Sequence, residues 1–196
     1  MGSIDPFGPK TKLVMAYRKA AMACTALHQG LPNAFAEAIL KNQLDQRLAE
    51  MAPARQILRQ KNFEVYVQTL AREAVVRYAG SAGERLADDP ESALLPRRVW
   101  VDQGHFAESD DQQVLLRVEQ MMQPFFCIEP GEPEAELLAA LMQGLCGVYS
   151  SVAFRLVTGP LNPIILEAVE ELIQEREVSV EWIHSRLEGL SPAETA

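Results

Sequence analysis

The sequence predicts an α+β protein that is mostly helical and has a small mixed sheet. Apolar residues recur at the three-to-four-residue spacing of amphipathic helices over most of the chain. Short valine-rich or aromatic runs, typical of strands, stand in its middle at residues 63–67, 99–101 and 125–128. The 196 residues are 48% hydrophobic and 23% charged, which excludes a disordered chain and suffices for one folded domain.

The chain divides into a short leader and one expected domain. The first seven residues, MGSIDPF, resemble a vector-derived tag, so the domain is expected over residues 8–196. Within it we expect N-terminal helices over residues 11–50, a core over about residues 54–130, and acidic C-terminal helices over residues 131–196.

Two helices are expected before the core. The first covers residues 11–28 and ends before the helix-breaking segment from Gly30 to Pro32. Asn33 then caps a second helix that runs to Pro53. The next segment is ambiguous, because residues 63–67 alternate like a strand whereas the apolar residues from Leu70 onward return to helical spacing.

The second half of the chain carries several helix starts. Ser109 and Gln112 form a capping box that predicts a helix over residues 110–123. A helix over residues 132–149 begins with glutamates, which favour the positive end of the helix dipole. Asn162 with Pro163 begins the next helix, and Ser179 begins a last one that stops at Gly189.

The charge is distributed unevenly. The formal net charge is -9, but residues 1–98 carry 14 basic and 10 acidic side chains, whereas residues 99–196 carry 4 and 17. Duplex DNA repels a net-negative protein, so any DNA contact is expected in the first half. The acidic half is left for protein partners.

Cysteines and hydropathy indicate a cytoplasmic protein. Cys24, Cys127 and Cys146 are odd in number and widely spaced, and no secretory signal is visible, which favours a reducing compartment. No apolar run reaches the roughly 18 to 20 residues that a bilayer crossing requires. We therefore expect no transmembrane segment, and at most peripheral association with the inner face of the membrane.

One segment carries chemistry that suits phosphate. Gly80, Ser81, Ala82 and Gly83 form a small-residue turn followed by Glu84 and Arg85. Such a turn lets backbone N–H groups approach an anion, and Arg77 and Arg98 are near enough in sequence to add positive charge. The plainer interpretation is a helix C-cap followed by a loop with solvent-facing charges.

This segment resembles the nucleotide-binding core of the ParB/sulfiredoxin fold. Proteins of that fold carry an AGERR-type box, a proline, a valine-rich strand, an acidic turn and a helix with a Glu-Asn pair. The order in this chain is Ala82-Gly83-Glu84-Arg85, Pro96, Val99-Trp100-Val101, Ser109-Asp110-Asp111 and Glu119-Gln120. Leu86 replaces the second arginine, and the absence of cysteine from this turn excludes sulfiredoxin-type reductase chemistry.

The resemblance implies an enzyme. One branch of the fold includes plasmid fertility inhibition factors. These cytoplasmic proteins are assigned ATPase and Mg-dependent DNase activities, and they block conjugative or T-DNA transfer through a type IV secretion system. It implies ATP and Mg²⁺ as cofactors and DNA and secretion components as partners. The implied roles are catalysis by Glu84 and Arg85, nucleotide binding by Ser81, Gly83, Arg77 and Arg98, and metal binding by Glu84 and Glu119.

A second hypothesis needs no catalysis. In it the chain is a helical adaptor or inhibitor that binds a secretion or regulatory protein through its acidic C-terminal helices, and the segment around Glu84 is a plain loop. Metal-dependent cleavage of plasmid DNA would separate the two hypotheses.

Overall fold

The structure is a computed structural model that describes residues 9–41, 43, 63–88 and 133–190. These residues form six helices: α1 (Pro9–His28), α2 (Asn33–Leu40), α3 (Phe63–Asp88), α4 (Pro133–Thr158), α5 (Asn162–Ile173) and α6 (Val180–Leu187). None of the described residues belongs to a strand, so the expectation of an α+β fold with a mixed sheet is wrong. The predicted strands at residues 99–101 and 125–128 and the predicted helix at 110–123 lie outside the described residues.

Residues 63–67, the remaining predicted strand, are the first turns of α3. The alternation there does not mark a buried sheet face, because Val65 is 40% exposed. Thr69 donates a hydrogen bond from its hydroxyl to the Val65 carbonyl at 2.8 Å, one helical turn back. Leu70 and Tyr78 are buried farther along the same helix, so helical spacing prevails over the local strand pattern.

Helix α1 lies at the centre of the described bundle. It contacts each of the other five helices, and every residue from Ala20 to Leu27 is buried. The small side chains of this stretch, four of them alanines, allow neighbouring helices to approach from several sides. Burial of this kind explains why the sequence of α1 shows little amphipathic contrast.

Helix α2 starts where predicted but is capped differently. Pro32 occupies the N-cap and makes no side-chain capping bond, while Asn33 is already helical. The Asn33 side-chain oxygen instead lies 3.1 Å from Nε2 of His184 on α6, which links the two helices. The helix ends at Leu40, so the prediction that it continues to Pro53 is wrong.

Helix α4 runs nine residues beyond the predicted end at 149. Ser151 donates a hydrogen bond to the Gly147 carbonyl at 2.9 Å, which satisfies its hydroxyl inside the helix. Thr158 does the same with the Phe154 carbonyl at 2.8 Å. The preceding turn of the helix therefore accommodates both hydroxyls.

The last two helices begin close to their predicted starts. In α5 the N-cap is Leu161 rather than Asn162, whose side-chain amide donates to the Val157 carbonyl at 3.2 Å. In α6 the prediction is confirmed, because the Ser179 hydroxyl accepts from the Trp182 backbone N–H at 3.1 Å.

Within the described residues, no individual helix combines the length and the apolar character needed to cross a bilayer.

Candidate functional site

The predicted phosphate-binding turn is part of a helix. Residues 80–85 lie inside the last third of α3, which continues to Asp88. Inside a helix each backbone N–H donates to the carbonyl four residues earlier, so these groups are not free to bind an anion. The prediction of a turn is wrong, and so is the plainer interpretation as a helix C-cap followed by a loop.

The two glycines of this segment mark a close crossing of α3 over α1. A Cβ atom added to Gly83 would lie 2.6 Å from the Tyr17 carbonyl oxygen and 2.8 Å from the Ala21 Cβ. A Cβ atom added to Gly80 would lie 2.8 Å from the Met22 sulfur. Glycine is therefore needed at position 83 so that the two helix backbones can approach, and this face of the segment leaves no space for a phosphate group. At Gly80 the neighbour is the flexible end of the Met22 side chain.

Glu84 is neutralised by a residue of α1. Its carboxylate oxygen Oε1 accepts a hydrogen bond from Nη1 of Arg18 at 2.6 Å, and both side chains are nearly three-quarters buried. A carboxylate held by a guanidinium is a poor ligand for Mg²⁺, and the described residues contain no group of three His, Cys, Asp or Glu that could hold a metal. Of the two predicted metal ligands, Glu84 is thus already paired with Arg18, and Glu119 lies outside the described residues.

The other predicted site residues do not complete a site. Arg77, Ser81 and Arg85 are each partly buried, and their spacing places them along one side of α3 together with Glu84. Arg98 and Glu119 lie outside the described residues. The structure thus brings four of the seven predicted residues to one side of α3, where the helix packs against its neighbours.

A different surface concentrates charge at the other end of the described chain. Seven glutamates lie on α5, on α6 and on the short segments that follow these helices, and together we call them the acidic surface: Glu167, Glu170, Glu171, Glu175, Glu177, Glu181 and Glu188. Only two basic residues accompany them between residues 162 and 190, Arg176 and Arg186. Six of the seven glutamates are exposed, and Glu171 is half-buried.

Both arginines are already used within the acidic surface. Arg176 Nε lies 3.2 Å from a Glu171 oxygen, and Arg186 Nε lies 3.0 Å from a Glu167 oxygen. The Arg186 guanidinium also stacks on the Trp182 ring, 3.8 Å from its centroid. Glu175 lies 3.8 Å from the Lys12 ammonium of α1. In the described part of the chain the remaining four carboxylates, Glu170, Glu177, Glu181 and Glu188, make no ion pair.

One of these four is held in its charged form by the start of α6. Hydrogen bonds from its own backbone N–H and from the Ser179 hydroxyl lower the pKa of Glu181. Its side chain is fully exposed, so solvent as well as these donors stabilises the carboxylate. Glu181 is therefore a fixed negative charge at neutral pH.

A groove opens beside this residue, between α2 and the connection from α5 to α6. Its volume is about 330 Å³. Its apolar lining is Leu40, Leu172, Val178 and Val180, and its charged lining is Glu37, Lys41, Arg176, Glu177 and Glu181. No sequence motif pointed to it, because its walls come from segments more than 130 residues apart. The only signal was the acidic excess of the second half of the chain.

Comparison with known proteins adds no relationship: no protein-family model, no curated protein and no solved structure matches this chain.

Proposed function

We propose that this protein is a non-enzymatic helical adaptor or inhibitor that binds a basic protein partner through its acidic surface. The observation that carries the proposal is a set of four exposed carboxylates that form no ion pair with any described residue, Glu170, Glu177, Glu181 and Glu188, on a surface whose two arginines are already neutralised. A partner that presents lysines and arginines would neutralise these carboxylates, which the described part of the chain leaves unpaired.

The proposal assigns a physical character to the complex. Exposed charges act over about 10 Å at 0.1 M salt, so the acidic surface should accelerate encounter and select for basic surfaces. Association should therefore weaken as salt rises. We place the complex in the cytoplasm, where the buried free thiols of Cys24 and Cys146 would stay reduced. Type IV secretion components, to which the sequence resemblance pointed, are one class of partner to test.

The competing hypothesis is an ATPase and DNase centred on Glu84 and Arg85. It required a turn that binds phosphate and a carboxylate available to a metal ion. Gly83 instead packs against the backbone of α1, and Glu84 is paired with Arg18. The geometry at this segment therefore supports helix packing rather than phosphoryl chemistry.

A nuclease and ATPase assay tests the competing hypothesis directly. Purified protein is incubated with plasmid DNA, Mg²⁺ and ATP, with and without EDTA. We expect no metal-dependent cleavage and no release of phosphate. Cleavage that EDTA abolishes, and that is lost in a Glu84→Ala, Arg85→Ala variant still folded by circular dichroism, would overturn the proposal.

A binding assay tests the acidic surface itself. A photo-crosslinking residue at position 166, which is exposed on α5, identifies partners in cells. Purified partner is then titrated against wild-type protein and against a variant in which Glu170, Glu177, Glu181 and Glu188 are changed to glutamine. We expect the variant to bind at least about tenfold more weakly, and the wild-type affinity to fall with salt.

The matched control removes four carboxylates from elsewhere. Glu64, Asp88, Glu134 and Glu136 belong to α3 and α4 and are neutralised in one variant, which changes the net charge by the same amount. This control should bind like the wild type. Equal weakening in both variants would mean that only the total charge matters, and the acidic surface would not be the binding site.

A further inference from the structure

We propose that the groove between α2 and the α5–α6 connection seats an arginine side chain of the partner. This inference rests on the proposed function and specifies it: the acidic surface attracts a basic partner, and the groove anchors one residue of it. Arginine combines an apolar stem with a planar cation, and the groove offers a matching combination of surfaces.

The apolar part of the groove suits the stem of the side chain. Val178 and Val180 are buried, and Leu40 and Leu172 are half-buried, so aliphatic groups line the groove without closing it. Its volume of about 330 Å³ lies at the small end of the roughly 300–1,000 Å³ typical of ligand pockets. A groove of this size fits one or two side chains of a peptide segment better than a folded element.

The charged part of the groove suits a cation. Glu177 and Glu181 stand on one side and form no ion pair with described residues, and Glu37 stands on α2. The C-terminal ends of α2 and α5 both reach the groove and add the partial negative charge of their carbonyl groups. The N-terminus of α6 opposes them, but the Ser179 hydroxyl caps it and the Glu181 carboxylate lies in its first turn.

The two cations in the groove do not make it an anion site. Lys41 lies 3.5 Å from a Glu37 oxygen, and Arg176 lies 3.2 Å from a Glu171 oxygen. Each is therefore offset by a carboxylate of its own, and the charges in the groove that stay unpaired among the described residues are negative. A guanidinium entering the groove would pair with Glu177 and Glu181, and it could do so in the bidentate manner that carboxylates allow.

A titration with two small probes tests this assignment. N-acetyl-arginine amide and N-acetyl-citrulline amide have nearly the same shape, and only the first is charged. Each is added to the ¹⁵N-labelled full-length protein while backbone amide shifts are followed. We expect the arginine probe to shift residues 40–41 and 177–182 and the citrulline probe to bind at least about tenfold more weakly. Equal binding of the two probes would overturn the inference, as would preferential binding of N-acetyl-glutamate amide.

Matched variants separate the groove from the rest of the acidic surface. Glu177→Gln with Glu181→Gln removes two charges from the groove, and Glu170→Gln with Glu188→Gln removes two charges from the same surface outside it. Arginine-probe binding should fall in the first variant and persist in the second. Equal loss in both would show diffuse attraction without an anchor, and the groove assignment would fail.

The same pair of variants keeps the two proposals distinguishable when the protein partner is used. Stronger weakening by the groove pair supports the anchor. Equal weakening by both pairs leaves the acidic surface as the binding site and overturns the groove assignment alone. If neither pair weakens partner binding and the four-site variant also binds normally, the proposed function fails, whatever the arginine probe does.

Discussion

The crossing of α1 and α3 and the acidic surface of α5 and α6 contain similar residue types in opposite settings. At the crossing, Glu84 and Arg18 form an ion pair about three-quarters buried beside Gly83, where a Cβ would meet the backbone of α1. On the acidic surface, four glutamates are without an ion pair among the described residues, and solvent or a partner must neutralise them. The fold itself neutralises the charge of Glu84, whereas the exposed carboxylates of the acidic surface remain accessible to a partner.

The same comparison explains why Gly80 and Gly83 belong to a helix crossing and not to the predicted phosphate-binding turn. A run of small residues permits either the approach of a ligand or the approach of a second helix, and its composition is the same in both cases. Here the neighbour is the backbone of α1 at Tyr17. Substitutions at the crossing should therefore lower the free energy of unfolding more than substitutions of exposed charges.

The largest expected effect concerns Cys24, a fully buried thiol on α1. Burial raises the pKa of Cys24 to about 12 from an ordinary value of 9.0. The reactive thiolate fraction at neutral pH is therefore lower by about a thousandfold, since each pKa unit is a factor of ten. We expect a maleimide to leave Cys24 unmodified in the native protein and to label it in denaturant, as read by peptide mass spectrometry. Rapid native labelling of Cys24 would show that the interior beside the crossing opens readily.

The next prediction concerns two glycines, Gly83 and Gly144, whose replacement by alanine should change the free energy of unfolding in opposite directions. Alanine at Gly83 would place its Cβ against the α1 backbone, so we expect the free energy of unfolding to fall by about 1–3 kcal/mol. Alanine at Gly144 on α4 meets nothing within 4 Å. Helix propensity should then raise stability by up to about 1 kcal/mol. Denaturant unfolding of both variants measures the pair, and a stabilising Gly83→Ala would show that the helices are not in close contact.

The ion pair at the crossing should contribute less than the backbone packing. Glu84→Ala removes the carboxylate that pairs with the partly buried Arg18 guanidinium, for a cost of about 1–2 kcal/mol. The control is Asp88→Ala, since Asp88 pairs with Lys10 at 3.0 Å while both side chains are mostly exposed. That surface pair should contribute at most about 0.5 kcal/mol. A double-mutant cycle with Arg18→Ala and Lys10→Ala would isolate each coupling energy, and equal values would contradict the contrast between the regions.

The sequence predicted the helix positions better than it predicted their context. The helix start at Ser179 was readable because an N-cap is a local interaction between a hydroxyl and a backbone N–H three residues on. The starts of α1, α2 and α5 were also close. The ends were less predictable. Helix α2 stops at Leu40, where the local sequence has no helix-breaking residue, and α4 continues through Ser151, whose hydroxyl bonds to the preceding turn.

The acidic surface and the crossing of α1 and α3 also differ in how far the sequence predicts them. The acidic surface follows from counting charges, which is a property of the sequence alone. The role of Gly83 depends on which helix lies against it, and the lining of the groove depends on bringing residues 37–41 next to residues 172–181. Such long-range contacts cannot be inferred from spacing, and the predicted sheet failed for the same reason: residues 63–67 follow the helical pattern that continues after them.

The smallest expected change in stability concerns the start of α6, and it should depend on pH. Ser179→Ala removes the cap on the Trp182 N–H, which should cost about 1 kcal/mol at any pH. It also removes one of the donors that lower the pKa of Glu181. A carboxylate with a lowered pKa stabilises the fold above its unfolded-state pKa, and that contribution is lost as pH falls through the folded-state pKa. The variant should therefore lose more stability at neutral pH than in acid, and the NMR-measured pKa of Glu181 should rise.

Ser185→Ala is the control, because the Ser185 hydroxyl bonds to the Trp182 carbonyl away from Glu181. A Ser179→Ala deficit that is the same at both pH values, with an unmoved Glu181 pKa, would mean that the hydroxyl serves the backbone cap alone and leaves the charge at the groove unaffected.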